Sequence, residues 1–495
     1  MMIKKYLLGT FLIVFCLGNV KAQETRQIEI ESAVVTSHEI SINGKRVPYK
    51  ATAGTMPVWD EDGNPMASIF YTYYERTDVS DKAKRPLVVS FNGGPGSASL
   101  WMHLAYTGPY KLNIDDEGYP LQPYGYSENP HSILDVADIV FVDPVNTGYS
   151  RIVNKETPRS TFFGINSDIK YLADWVNTFV TRQNRWASPK YLIGESYGTT
   201  RVAGLVSQLQ NSHWMYFNGV VLVSPTPMGL DREGPVASAN YLPYYAATAW
   251  YHKVLPSELQ ARDLDEILEE VEAYTIDVVL PAMAKGGSID PAKRNEIAKK
   301  MSYYSGLSEK VILEHNLAVP TNFFWKELLR DQGLTIGRLD SRYKGIDRTG
   351  NGERPDFDPA LTAWNHAFAP AFNMYARNVL NYKTDLTYNL FGPVHPWDRS
   401  NENTGEQLAN AMRQNPYLHV MTQSGYFDGG TDYFNAKYNM WQMDQNGKLK
   451  DRLSFKGYRS GHMMYLRAED LKTSNDDIRE FIKNSLPAND VPAKY

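Results

Sequence analysis

Gly194-Glu195-Ser196-Tyr197-Gly198 follows directly on the apolar run Tyr191-Leu192-Ile193. A serine becomes an exposed nucleophile where a strand turns sharply into a helix, and the residues two places to either side must be small enough for the backbones to pass. The pentapeptide alone recurs by chance, so the strand before it is what makes Ser196 a candidate nucleophile. Its hydroxyl needs a base to take the proton and an acid to orient that base, in the chain order Ser, Asp, His. Among ten histidines, His462 stands out because Gly461 precedes it and the strand-like Leu453-Ser454-Phe455 lies just upstream. The acid is expected in a Gly-x-x-Asp turn after a late strand. Gly425-Tyr426-Phe427-Asp428 fits behind the run Leu418-His419-Val420-Met421, and Asp432 in Gly429-Gly430-Thr431-Asp432 is a second candidate; Asp428 is preferred. A cradle of backbone N–H groups for a developing oxyanion completes such a site. Leu87-Val88-Val89-Ser90-Phe91 running into Asn92-Gly93-Gly94-Pro95-Gly96 supplies one. That loop lacks a Gly-Lys-Ser/Thr ending, and no G-x-G-x-x-G opens a helix, so it is not read as a nucleotide site.

These residues need a frame. The short apolar runs at 87–89, 139–142, 191–193, 220–223 and 418–421 suit strands buried on both faces. Ile165, Ile169, Leu172, Val176 and Phe179 recur at helical spacing between two of them. Strands alternating with helices predict an α/β fold with a central, mostly parallel sheet. Residues 23–80 alternate in short steps, with turn signals at Asn43-Gly44 and Asp62-Gly63, and read as N-terminal β-hairpins joined to the core. Residues 226–413, rich in Glu, Lys and Tyr, interrupt the strand pattern and read as a mostly helical cap inserted between core parts 81–225 and 414–495. Amphipathic candidates within it lie at 257–271 and 291–301.

Lys4 and Lys5, an apolar run over 6–17 and Val20-Lys21-Ala22 have the order of an export signal, so residues 1–22 are expected to be removed. The remaining 473 residues then lose Cys16, the sole cysteine, and three lysines, so formal charge moves from −5 to −8. A thiol-free exported chain suits a bacterial periplasm or surface. The acidic balance and the lack of basic clusters argue against nucleic acid. No metal-ligand spacing is found, and the chemistry needs no cofactor.

Asn92-Gly-Gly-Pro-Gly96, Asp143-Pro-Val-Asn-Thr-Gly148-Tyr-Ser150, Gly194-Glu-Ser-Tyr-Gly198 and Gly461-His462-Met463 together resemble the serine carboxypeptidase family, in family order from about residue 85 to 465. Ala51-Thr-Ala-Gly54 and Gly337-Arg-Leu-Asp-Ser-Arg-Tyr343 further resemble its bacterial branch. The resemblance implies an α/β-hydrolase fold, a Ser196–His462–Asp428 triad, and an oxyanion hole from the N–H groups of Gly94 and Tyr197. It implies that Asn92, in its loop with Gly93, and Glu195 bind the free C-terminal carboxylate of a peptide substrate. Two carboxylates at hydrogen-bond distance must share a proton. The chain departs from the family where a second glutamate would stand, at Tyr106, and carries Ser90 and Ser97 in place of the family's tryptophan and cysteine. Tyr106 therefore implies a milder pH optimum, and Arg201, one turn into the helix after Ser196, is a candidate compensating charge at the site or a residue turned to solvent. The expected activity is release of C-terminal amino acids from peptides; an esterase or acyltransferase of the same fold, or a non-catalytic binding protein, are the alternatives.

Overall fold

The computed structural model describes residues 28–230, 234–401, 403–487 and 491–495; the leader expected at 1–22, with Cys16, lies outside them. The first elements among the described residues are three long strands, β1 (Ser32–Ile42), β2 (Lys45–Trp59) and β3 (Pro65–Arg76). Asn43 and Gly44 both adopt positive φ, 49° and 74°, the requirement of the tight turn that lets β1 and β2 pair in antiparallel register. β3 pairs antiparallel with β2 and with β5 (Asp138–Val142), so the hairpins and the core form one sheet.

The core strands are β4 (Leu87–Phe91), β5, β6 (Lys190–Glu195), β7 (Gly219–Val223), β8 (His419–Gly425) and β9 (Leu453–Tyr458). They pair in parallel, giving the sheet order β1-β2-β3-β5-β4-β6-β7-β8-β9, with the two-residue strand Arg151–Ile152 added on β3. Because successive side chains leave a strand on opposite faces, each apolar run feeds two cores. Val88, Ile139, Phe141, Ile193 and Val221 enter one; Val89, Val140, Leu192, Val220 and Leu222 enter the other. Helices α1 (Ile165–Arg182) and α2 (Tyr197–Ser212) cover the second face.

Between β7 and β8 lie α3 (Leu242–Tyr251), α4 (Leu264–Tyr274), α5 (Pro291–Ser305), α6 (Pro359–Asn378) and α7 (Thr404–Gln414). The first three share a core of their own, with Leu242, Tyr245, Ile267, Val271, Ile297 and Met301. The other two do not belong to that body. Trp364, Phe368, Phe372 and Tyr375 of α6 pack into the first sheet core, and Leu408, Ala409 and Met412 of α7 into the second. The cap as a separate packing unit thus ends well before 413, because helical spacing marks an apolar face without saying which core it covers. α8 (Tyr433–Met443) lies between β8 and β9, and α9 (Ala468–Ser485), on the first face, follows β9. Among the described residues no helix is long and apolar enough to cross a membrane.

Candidate active site

Ser196 sits between β6 and α2 at φ 57°, ψ −127°, a conformation rarely adopted by a non-glycine residue. Its neighbours explain how it is held. A Cβ on Gly194 would lie 2.2 Å from the carbonyl of Gly198, and one on Gly198 would lie 2.9 Å from the carbonyl of Phe91. The Ser196 N–H donates to the carbonyl of Val223 at 3.0 Å, tying the turn to the end of β7. The side chain faces a hollow of about 300 Å³ shared with Asn92, Gly94, Glu195 and His462.

His462, beyond β9, and Asp428, beyond β8, meet through Nδ1 and Oδ2 at 2.7 Å. Asp428 Oδ1 accepts from the N–H groups of Gly430 (2.8 Å) and Thr431 (3.1 Å), and the Thr431 hydroxyl donates to Oδ2 at 2.7 Å. Asp432 is used otherwise: it caps α8, accepting from the backbone and side-chain nitrogens of Asn435. Burial opposes the Asp428 charge, but the facing imidazole and these donors outweigh it and hold the carboxyl below its usual range. Burial likewise opposes protonation of His462, and attraction to Asp428 outweighs it, so the imidazole pKa is raised. With Nδ1 engaged by Asp428, Nε2 is the nitrogen left for proton transfer.

The glycine loop lies against the elbow. A Cβ on Gly93 would stand 2.5 Å from the Tyr197 nitrogen, so only glycine permits this approach, and Gly94 has φ 106°. Tyr197 is the first residue of α2, where an N–H has no intrahelical carbonyl to bond and the helix dipole favours negative charge. The loop is braced from beneath by Arg201, which neither points to solvent nor reaches the hollow. Its side chain is 0 % exposed, pairs with buried Asp168 at 2.8 Å, and donates to the carbonyls of Asn92 (2.5 Å) and Pro95 (3.4 Å). The expected compensating charge is therefore a buttress, neutralised by its own acid.

Tyr106 also stands back from the hollow. It is fully buried, its hydroxyl donates to Gln423 Oε1 at 2.5 Å, and its ring stacks on Tyr465 at 4.5 Å. Tyr465 in turn donates to Glu195 Oε2. Glu195 is 3 % exposed, and burial raises its carboxyl to about 7, against the pull of His462 and hydrogen bonds from Tyr465 and Asn92. Asn92 is oriented by accepting from the Met102 N–H at 3.0 Å. Near neutral pH this face of the hollow thus offers a carboxyl able to donate a hydrogen bond.

A second hollow of about 310 Å³ opens on the other side of Ser196, lined by Ile165, Thr200, Met228, Trp397 and Arg399. A larger one of about 650 Å³, between the β2 end and α1, contains none of these residues.

Several contributors have no sequence signal of their own. Thr431 and Tyr465 are single hydroxyls among many. The segment 337–343 shows its role only in three dimensions. The Arg338 carbonyl accepts from Gly429 N–H (2.9 Å), the Leu339 carbonyl from His462 N–H (2.7 Å), and Ser341 N–H donates to the Phe427 carbonyl (2.9 Å). Arg342 pairs with Asp340 at 2.7 Å, both buried, and reaches Ser460 Oγ at 3.1 Å. One strip therefore grips the loops of both Asp428 and His462.

The serine carboxypeptidase family profile matches residues 42–325, a stretch that holds the glycine loop and Ser196 and stops before Asp428 and His462. Serine carboxypeptidase S10 family member 1 of Dictyostelium discoideum is 30 % identical over 133 residues, 26 % of this chain and 29 % of that protein. A pheromone-processing carboxypeptidase of Neosartorya fischeri is 24 % identical over 249 residues, 44 % of this chain and 36 % of that protein. The chain thus spans about a third of the length of these curated relatives. The crystal structure of a prohormone-processing carboxypeptidase from Saccharomyces cerevisiae superposes with a TM-score of 0.50 at 14 % identity, covering 89 % of this chain and 93 % of that one, a likeness of fold. With the family profile matching more than half of its residues, this chain belongs to the serine carboxypeptidase family.

Proposed function

We propose that the protein is a serine-type carboxypeptidase that removes the last residue of a peptide with a free C-terminus. The observation that carries this reading is a single hollow in which Ser196 and His462 face Asn92 and a Glu195 carboxyl that keeps its proton to about pH 7. A general esterase site has no use for a buried proton donor placed to share a hydrogen bond with an anion.

In this reading Ser196 Oγ attacks the carbonyl of the penultimate residue while His462 Nε2 takes the hydroxyl proton. Asp428 holds the imidazole's orientation and stabilises its charge. The oxyanion accepts hydrogen bonds from the N–H groups of Gly94 and Tyr197. His462 then protonates the departing amine, the terminal residue leaves from the Asn92–Glu195 side, and water activated through His462 hydrolyses the acyl-enzyme held on the Met228–Trp397 side. Transfer of the acyl group to an alcohol would use the same steps with a different acceptor.

The test is turnover of an N-blocked dipeptide and its C-terminally amidated twin by the wild type and Ser196→Ala, with products followed by mass spectrometry. Release of the terminal amino acid, lost in the variant and weaker from the amide, is the expected result. Equal cleavage of both, or cleavage of a simple ester alone, would overturn the reading in favour of an esterase or acyltransferase. Export to a bacterial periplasm or surface belongs to the same proposal. It rests on the order of residues 1–22 and the absence of cysteine after Ala22, although the relatives named above are eukaryotic. The N-terminal sequence of the secreted protein, expected to start at Gln23, checks it.

A further inference from the structure

Besides the triad histidine, the hollow on the Glu195 side contains one cationic side chain, Arg338, which comes from the strip 337–343. Its side chain is 45 % exposed, and the nearest carboxylate, Asp358, lies 3.8 Å from Nε. That carboxylate already serves the backbone: it accepts from the N–H groups of Ala360 (3.1 Å) and Leu339 (3.2 Å), capping α6. Among the described residues no hydrogen bond ties down the two Nη groups. Arg338 also borders a neighbouring hollow of about 210 Å³ at the cap surface, but its reach toward the catalytic side is fixed by Gly430. A Cβ there would lie 3.2 Å from Arg338 Nη1 and 3.3 Å from Asp428 Oδ1, so the guanidinium stands about one side chain's width from the acid of the triad. The main chain of Arg338 cannot drift, since its carbonyl is bonded to Gly429 N–H.

Beside the hydroxyls of Ser97, Thr226 and Thr431, the hollow has apolar walls formed by Trp101, Leu339, Leu361, Phe391 and Met463. Such walls suit an apolar side chain on the departing residue. An anion meeting Arg338 there is then the α-carboxylate, and not a side-chain acid. Arginine's planar fork matches a carboxylate in a bidentate fashion.

We propose that Arg338 is a substrate-binding residue that pairs with the α-carboxylate of an apolar C-terminal residue, in the hollow that also holds Asn92 and Glu195. The inference rests on the carboxypeptidase reading above. It explains how a chain whose Tyr106 is withdrawn to Gln423 still offers the substrate carboxylate a partner beyond Asn92 and Glu195.

The test compares wild type, Arg338→Gln and Arg338→Lys on N-blocked dipeptides ending in Leu, as free acid and amide, and ending in Glu. Fluorophosphonate labelling of Ser196 in each protein reports an intact site. Loss of one charge-assisted pairing predicts that Arg338→Gln lowers kcat/KM for the Leu acid by about 10- to 100-fold, mainly through KM, and collapses the acid-to-amide ratio, with partial rescue by Lys. An acid-to-amide ratio unchanged in Arg338→Gln would overturn the assignment while leaving the carboxypeptidase reading intact. Loss confined to the peptide ending in Glu would overturn it by making the side-chain carboxylate the ligand. A wild type that labels but cleaves none of the three would overturn the carboxypeptidase reading itself.

Discussion

Replacing Glu195 by Gln isolates the one group on which both binding chemistry and pH dependence turn. The folded carboxyl holds its proton to about 7, while in the unfolded chain it titrates near its ordinary 4.5. Between those values the native state binds more protons than the unfolded state, so this residue makes the protein less stable as pH rises through the window. The interval of about 2.5 pH units, at about 1.4 kcal/mol each, amounts to about 3 kcal/mol lost between pH 4.5 and 7. Gln retains the acceptor for Tyr465 and cannot ionise, so the variant should lack this loss. Asp143 and Asp432, also raised to about 7 by burial, remain in both proteins and cancel in the comparison. Urea denaturation of wild type and Glu195→Gln at pH 4.5, 6 and 8 measures the difference directly. The variant should gain about 3 kcal/mol relative to wild type between the two extremes, and its kcat/KM on the acid dipeptide should lose the alkaline fall that Glu195 ionisation imposes. In the wild type that fall should meet the rise from His462, whose pKa attraction to Asp428 raises, and the expected optimum is near neutrality. Parallel stability curves for the two proteins would refute the assignment of a protonated Glu195, and a wild-type activity peak below pH 5 would refute the optimum.

Gly93→Ala should place a methyl group in contact with the Tyr197 nitrogen, spread the loop from the elbow, and lower kcat by about 10²–10³-fold, measured as ester and peptide turnover. Arg201→Met should leave Asp168 buried without its partner and cost about 3–5 kcal/mol in denaturant unfolding. The folded fraction should nonetheless keep the wild-type preference for acid over amide, because Arg201 lies beneath the loop and not in the hollow.

The core strands and the elbow were legible because each is a local pattern: an apolar run reaching both cores, then small residues where backbones pass. Asp428 could be preferred over Asp432 from its place after β8, yet the reason appears only in space, where Asp432 is occupied in capping α8. Arg201 and Tyr106 show the limit. Spacing put Arg201 one turn from the nucleophile, but whether its face is buried depends on Asp168, 33 residues earlier. Tyr106 matches a position in a motif, and its hydroxyl is turned away by Gln423, 317 residues later. Spacing alone does not say which core an inserted helix joins, since an amphipathic helix such as α7 has the same period whether it covers the sheet or the rest of the insertion.

The strip 337–343 has a consequence for how this molecule can respond to its surroundings. It belongs to the inserted segment, yet it bonds the loops that carry Asp428 and His462. Displacing the strip would take these hydrogen bonds from the loops of the proposed Asp428–His462 pair, and coupling of that kind is reciprocal. An inhibitor attached to Ser196 that draws His462 into place is therefore expected to slow proteolytic nicking of the strip, and displacement of the strip is expected to lower turnover without any contact to Ser196.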